Sequence, residues 1–292
     1  MTRIPDPLLK KAASERLHYA TGELLGADDF RDEQTYHRRQ LAQALLFLNG
    51  SGTLAGLRVI ARHRPGQNGA PDEVHLEVQP GLALDRAGRL IEVPREACLR
   101  LRRWFEFIAE RPPENAVLDA GDLLAAFRDG VVVADVFLAF HACDRGYTPA
   151  FASGPFDALD ASQPSRVRDA YELSLVLRSE TTPPISADPW TAVTDLASAQ
   201  QASLGAWDAL DLPPAGHVGD WRENPAGIDP TAVLLARVRI PATPGPTATS
   251  APVPDWTAAI WADTAPGENP NIDNRVRNFI LPPAAIRRMA GA

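Results

Sequence analysis

A change of hydrophobic period at Asn49–Gly50 constrains this chain more than any other feature. Upstream, Leu41, Ala44, Leu45 and Leu48 recur at helical spacing, and Phe30 and His37 extend the stripe. Asp28 suits the N-cap, where its carboxylate can accept from a free first-turn amide. Asp29, Asp32 and Glu33 favour the positive end of the helix dipole. Asn49 and Gly50 suit the left-handed geometry that ends a helix. These signals predict an amphipathic helix over 28–48. Downstream the period drops to two. Leu57, Val59 and Ala61 alternate with Arg58, Ile60 and Arg62, and Val74, Leu76 and Val78 alternate with Glu73, His75 and Glu77. "PGLALD" and "RLIEV" flank "RAG", a hairpin with Gly88 in its turn. A helix that hands over to a meander with one polar face reads as a sheet-against-helix module.

The rest of the chain continues in the β manner. The spacing predicts a strand over Ala97–Leu101 and an aromatic cluster at Trp104, Phe105, Phe107 and Ile108. A short helix capped by Asp122 and ended by Gly130 follows. "VVVADVFLAFHAC" is too β-branched for a comfortable helix and reads as a central strand, Val131–Cys143. The stretch after it reads as a long loop, and "RVRDAYELSLVLR" reads as a strand presenting Tyr171, Leu173, Leu175 and Leu177 on one face. A helix is expected over Pro189–Leu210, burying Trp190, Val193, Leu196, Leu204 and Trp207. "TAVLLARVRIP" is a strand, 242–254 a solvated low-complexity excursion, "WTAAIWA" a strand and "PPAAIRRMAG" a short terminal helix. A further short helix is expected over Leu8–Leu17. The expected class is α+β: mostly antiparallel sheet or sandwich, with an N-terminal amphipathic helix and long Pro-rich loops. The expected organisation is an N-terminal arm (1–19), a helix-plus-sheet core (20–180) and a Pro-rich C-terminal region packing on it (181–292).

Composition narrows the function classes. Proline is abundant at 27 of 292 residues, about twice its usual share, and most fall at or beyond Pro183. Long ordered connections of this kind are frequent interface material. The net charge of −8 disfavours general nucleic-acid binding, which needs a basic surface. No apolar run is long enough to span a membrane, and "MTRIPDPLLKKAASERLHYATG" lacks the apolar core of a signal peptide. Synthesis in the cytoplasm is expected. Cys98 and Cys143 form neither a disulfide framework nor a metal spacing.

Reactive constellations are not legible. The acids at Asp28, Asp29, Asp32 and Glu33 read as a solvated helix start rather than a cation site. His63 with His75, or His141 with Cys143, could begin a metal site only with ligands from afar; no histidine pair has the helical i, i+4 spacing. "NGSGTLAG" lacks the Lys-Ser/Thr of a phosphate loop and follows a helix instead of opening one. It also lacks the flanking glycine of a nucleophile elbow. No catalytic, cofactor-binding or metal-binding residue is therefore assigned. Trp190, Trp207, Trp221, Trp256 and Trp261 read as core residues or interface anchors before sugar platforms.

The segments together resemble a group of bacterial proteins that open with a G-x-LL-x-ADDF-x-x-EQ-x-YH helix, here "GELLGADDFRDEQTYH". In that group a G-x-G-x-x-x-GL-x-V segment follows, here "GSGTLAGLRV", then a hairpin like "PGLALDRAGRLIEV" and later a stretch like "SRVRDAYELSL". The likeness runs to about Ile240 and is best over the first 93 residues. The chain departs from the usual pattern at "LNGSGTLAG", where many members carry "HGWG" and a cysteine before the GL. The group resembles accessory structural proteins, baseplate- or fibre-associated, of phage-tail-like contractile injection systems. The resemblance implies a non-enzymatic particle component, with no catalytic residues to carry over. Its expected partners are baseplate, tube, sheath or fibre proteins, and it implies assembly into a particle that can leave the cell. A homo-oligomer is expected, since such particles are rotationally symmetric. The expected contact residues are Asp28, Phe30 and Tyr36 on the helix head and the tryptophans Trp190, Trp207, Trp221, Trp256 and Trp261. The alternatives are a carbohydrate- or cell-surface-binding module using tryptophan platforms, and a hydrolase whose acids converge from distant segments.

Overall fold

Three long β segments, each broken once in the middle, build the N-terminal sheets. The first holds β1 (Gly52–Gly56) and β2 (Val59–Arg64), the second β3 (Glu73–Val78) and β4 (Gly81–Leu84), the third β5 (Leu90–Val93) and β6 (Ala97–Arg100). They pair antiparallel in the orders β1-β4-β5 and β2-β3-β6, so the two sheets are halves of one bent meander. The bend is carried by Gly56, Leu57 and Pro80. Gly56 and Leu57 both have positive φ, 64° and 57°, and Leu57 N donates to Pro80 O across the break. A Cβ on Gly56 would sit 2.2 Å from that same carbonyl oxygen, so only glycine allows the strands to close there. The computed structural model describes residues 6–9, 15–66, 71–110, 118–149, 162–180, 193–209, 224, 228–265 and 267–289.

The second layer is a six-stranded sheet centred on β8 (Val131–Pro149). β10 (Val233–Thr243) pairs with one edge of β8, and β7 (Phe127–Arg128) and β9 (Ser162–Leu177) with the other. β11 (Val253–Pro254) and β12 (Ile272–Asp273) extend β10. All these pairings are antiparallel. With about 25% helix and 38% strand, the fold is α+β and rich in antiparallel sheet. β10, from the region expected beyond residue 180, lies directly against β8.

One core joins the layers. Val59, Leu76 and Ile91 from the meander share it with Val132, Val136, Leu138, Val238 and Ile240 from the second sheet. The other face of β8 is also covered: Phe137, Val176 and Leu234 pack with Val276. Burial on both faces explains why this strand reads as a nearly continuous apolar run. Asp135 interrupts it on that second face. Its carboxylate meets Arg237 Nε at 2.8 Å and Arg178 Nε at 3.2 Å, and the carboxylate and the Arg178 side chain are fully buried.

The helices revise the sequence expectations in detail. α1 spans Ala27–Asn49, and its N-cap is Gly26 rather than Asp28; Gly26 N donates to the Asp29 carboxylate at 2.7 Å. The expected aromatic cluster at Trp104, Phe105, Phe107 and Ile108 is part of a helix, α2 (Leu101–Ala109), which also takes in Leu101 from the end of the expected strand. Leu101, Phe105 and Ile108 fall on one face and enter the core, a burial worth about 1.5–3 kcal/mol per side chain. α3 (Ala120–Ala125) is capped by Asp119, whose carboxylate accepts from Gly121 N and Asp122 N; Asp119 N in turn donates to the Asp122 carboxylate. α4 is Leu196–Ala209, begun by Asp195 accepting from Ser198 N, and it exposes Leu196 and Leu204 where burial was expected. The "WTAAIWA" stretch forms turns, since Thr257 and Ile260 close an i, i+3 bond there. The 242–254 excursion is a hairpin that closes by pairing Thr243 with Val253. α5 (Pro283–Met289) starts on proline as expected. The expected N-terminal helix is represented by a 3-10 turn, Pro7–Leu9, with part of its range outside the described residues.

The C-terminal segment seals the free edge of the first β segment. Asn274 imitates a strand with its side-chain amide, accepting from Val59 N and donating to Val59 O, both at 2.9 Å. Thr53 N donates to Asn278 O, and Ile280 N donates to Thr53 O. Covering an edge in this way removes a site for unwanted strand pairing.

The β2–β3 loop carries a titratable latch. Asp72 accepts from Gly66 N at 2.9 Å and meets His63 Nε2 at 3.0 Å. These contacts, the Gly66 amide first and the imidazole second, hold its carboxyl below the ordinary carboxylate value. The latch is therefore complete above the unfolded carboxylate pKa of about 3.9 and is lost as pH falls through the lower folded value. Carbon-13 NMR titration is expected to place the Asp72 midpoint below the ordinary value, and His63→Ala should move it part of the way back. An ordinary midpoint in the unaltered protein would refute the latch.

Candidate interaction surface

α1 follows directly from its sequence stripe, but the stripe faces solvent. Only Ala42 of this helix is buried. It rests on the turn between β4 and β5, where a Cβ on Gly88 would lie 2.1 Å from the Ala42 carbonyl oxygen. Half-buried Arg38, Leu45 and Leu46 flank that contact. Phe30, Leu41 and Leu48, eleven and seven residues apart, lie along one line of a 3.6-residue helix, and Leu41 and Leu48 are 58% and 82% exposed. The expected packing of this stripe on the sheet is thus corrected: the helix touches the meander along its neighbouring face, through a small residue.

A buried polar network fixes the helix in that pose. Arg89, at the end of the β4–β5 turn, donates through Nε to Asp85 at 2.7 Å and through Nη2 to Thr231 Oγ1 at 2.8 Å. Its Nη1 reaches Asp6 at 3.3 Å, and Arg38 of α1 reaches the same carboxylate at 3.2 Å. Arg89 also stacks over the Phe140 ring at 4.6 Å. Residues from the N-terminus, the helix, the hairpin and the β9–β10 connection therefore meet at one buried ion cluster. The sequence pattern does not single out the arginine at position 89; its place beside a turn glycine is the one local signal it carries.

The expected contact residues are placed unequally. Asp28 is exposed and pairs with Arg31 at 2.5 Å. Phe30 is exposed, and Tyr36 is half-buried with its ring edge-to-face with His37 at 5.4 Å. Nearby Tyr19 donates toward Glu33, and that contact pushes its hydroxyl pKa up. The tryptophans behave differently. Trp261 is only 2% exposed and sits in the main core, which corrects its assignment to a contact surface. Its Nε1 donates to Asp255 O at 2.9 Å, satisfying the one polar atom that would otherwise resist burial. Trp256 stacks on it at 6.0 Å and meets Phe105 edge-on, so it too serves the core. Trp207 lies on α4, with its side chain outside the described residues; Trp190 and Trp221 lie wholly outside them.

A second exposed feature extends from the central sheet. Beyond Cys143, β8 and β9 continue as a two-stranded ribbon, paired from Asp144↔Val167 to Pro149↔Ser162. Residues 145–149 and 162–169 are exposed on both strands, including Tyr147 and Val167. The ribbon is about 20 Å long at the usual rise per residue. It takes up both ends of the long loop expected after Cys143, whose middle (150–161) lies outside the described residues; polar residues on both faces erase the alternation that marks a half-buried strand.

His63 is committed to Asp72, and Cys143 is buried with its thiol toward Arg168 O. Among the described residues, no three His, Cys, Asp or Glu side chains gather as metal ligands. None of the described helices is long and apolar enough to cross a membrane. No protein-family model matches the chain. A search of the curated proteins likewise returns no match.

Proposed function

We propose that this chain is a non-enzymatic structural component of a phage-tail-like or contractile injection particle, associated with its baseplate or fibres and acting through protein–protein contacts. The observation that carries the reading is the uncovered apolar line of α1, Phe30, Leu41 and Leu48. A helix that keeps an apolar stripe in water while a buried ion cluster fixes its pose is built to be covered by something else. The β8–β9 ribbon supports the same reading. Two strands alone are marginal in water, and their free edges suit pairing with a neighbour. The resemblance of residues 20–93 to particle proteins agrees in kind.

Density-gradient fractionation of native host lysate tests the proposal. Co-migration with sheath and tube proteins at a fixed ratio is the expected result, and a light fraction free of them would sink it. The double variant Leu41→Glu, Leu48→Glu gives a sharper form. Both side chains are exposed, so stability should change by less than about 0.5 kcal/mol for each substitution, while incorporation into heavy fractions should be lost. Unchanged incorporation would remove α1 from the interface.

A further inference from the structure

The geometry points to a binding cleft for an acidic peptide segment, lined by Arg58, Arg239, Arg275 and Arg277 between the C-terminal strap and the bend of the meander. The cleft measures about 870 Å³, far more than a single oxyanion needs and within the range of ligand-holding clefts.

These arginines differ from those that are held in ion pairs. Arg62, Arg64, Arg89, Arg102, Arg178 and Arg237 each meet a carboxylate within 3.2 Å. Among the described residues, Arg58, Arg239 and Arg275 form no ion pair, although the chain holds 37 acidic residues against 29 basic ones. Arg277 is buried and donates only to neutral oxygens, Leu57 O at 2.7 Å and Asn274 Oδ1. Burial, and then the neighbouring Arg58, draws the Arg277 guanidinium down to about 10. The four cations outnumber the two acids of the same cleft, Glu268 and Asp273, and a bound carboxylate would relieve the excess. Guanidinium groups are suited to this role, since their planar donors grip carboxylates two bonds at a time.

The rim selects among anions. Glu268 and Asp273 also line the cleft. They oppose a dense multivalent anion such as a phosphate chain, which would bring all its charge to one place. A peptide spreads single carboxylates along the cleft and can pass these rim acids with a neutral residue. The cleft shares no residue with the α1 stripe, so its test stands apart from the gradient experiment.

The whole 292-residue chain would be titrated against a fluorescent peptide of alternating glutamate and glycine, with anisotropy as the readout. Saturable binding that weakens with added salt is expected. The exposed pair Arg58→Glu, Arg275→Glu should weaken it about tenfold or more, as for loss of a charge-assisted contact. Arg58→Lys with Arg275→Lys should fall between the two, since charge is kept and the fork lost. Arg287→Glu, on α5 and outside the cleft lining, should leave binding unchanged. Circular dichroism and melting of each variant establish that the fold is retained. Absence of saturable binding, or equal binding by the glutamate pair, would overturn the inference. Inorganic pyrophosphate displacing the peptide at equal concentration would overturn the choice of a peptide ligand.

Discussion

Asp135→Ala is expected to destabilise the protein by about 3–5 kcal/mol, the usual cost of removing one partner from a buried ion pair. The reason lies in what remains. Asp135 is the carboxylate that faces both Arg237 at 2.8 Å and Arg178 at 3.2 Å, and the Arg178 side chain has no exposure at all. Glu180, which also meets Arg178, lies further off at 3.6 Å and is well exposed. Two guanidinium groups would then lie beneath the central strand with their main countercharge gone. Urea unfolding should show a lowered midpoint with an unchanged slope, the mark of lost stability without a change in the surface exposed. A variant that replaces Asp135, Arg178 and Arg237 together with apolar residues of similar size should recover most of the loss, because the penalty belongs to the unpaired charge and not to the missing bond. If Asp135→Ala costs less than about 1 kcal/mol, in the range of exposed pairs, the trio is not behaving as a buried network.

Gly88→Val is expected to detach α1 from the meander. Gly88 has φ of 75°, and a Cβ there would approach the Ala42 carbonyl oxygen to 2.1 Å. The left-handed backbone alone costs a side-chain-bearing residue about 1–2 kcal/mol, and β-branching adds to it. The overlap with helix backbone cannot be relieved by turning a side chain, so either the turn or the helix must move. The helix is the less anchored of the two, since Ala42 is its one buried residue. Hydrogen exchange should therefore speed up along 27–49 while the amides of β3, β8 and β10 keep their protection. Uniform loss of protection would mean instead that the β4–β5 turn is required for the whole fold. In the proposed role this variant should also fail to enter heavy fractions, since Phe30, Leu41 and Leu48 would no longer be held in a fixed pose.

Several elements are legible in the residues alone. The α1 stripe, the Gly88 hairpin, the alternation in β2 and β3, and the apolar run of β8 each carry a local period, and each lies where that period places it. α2 escapes such a reading because Trp104, Phe105 and Phe107 look like a cluster; its i, i+4, i+7 set of Leu101, Phe105 and Ile108 is visible once the strand before it is ended at Arg100. The distal halves of β8 and β9 escape it because neither face is buried. Of the expected contact residues, Asp28 and Phe30 are exposed, whereas Trp261 is core: a large aromatic in a turn-rich stretch gives no local sign of its burial.

Local geometry follows from neighbouring residues: where most helices and strands run, which residues share a face, and that both polar and apolar stripes exist. What those stripes touch was settled by packing between distant segments. That packing placed Ala42 on Gly88 and left Leu41 and Leu48 in water, joined Asp6, Arg38, Asp85 and Arg89 into one cluster, and brought Arg58 to Arg275 and Arg277 across more than two hundred residues. The reason is physical. A period reports that a face must be covered, because it follows from backbone geometry within a few residues. The identity of the cover depends on contacts between segments far apart in the chain, and no local period encodes those.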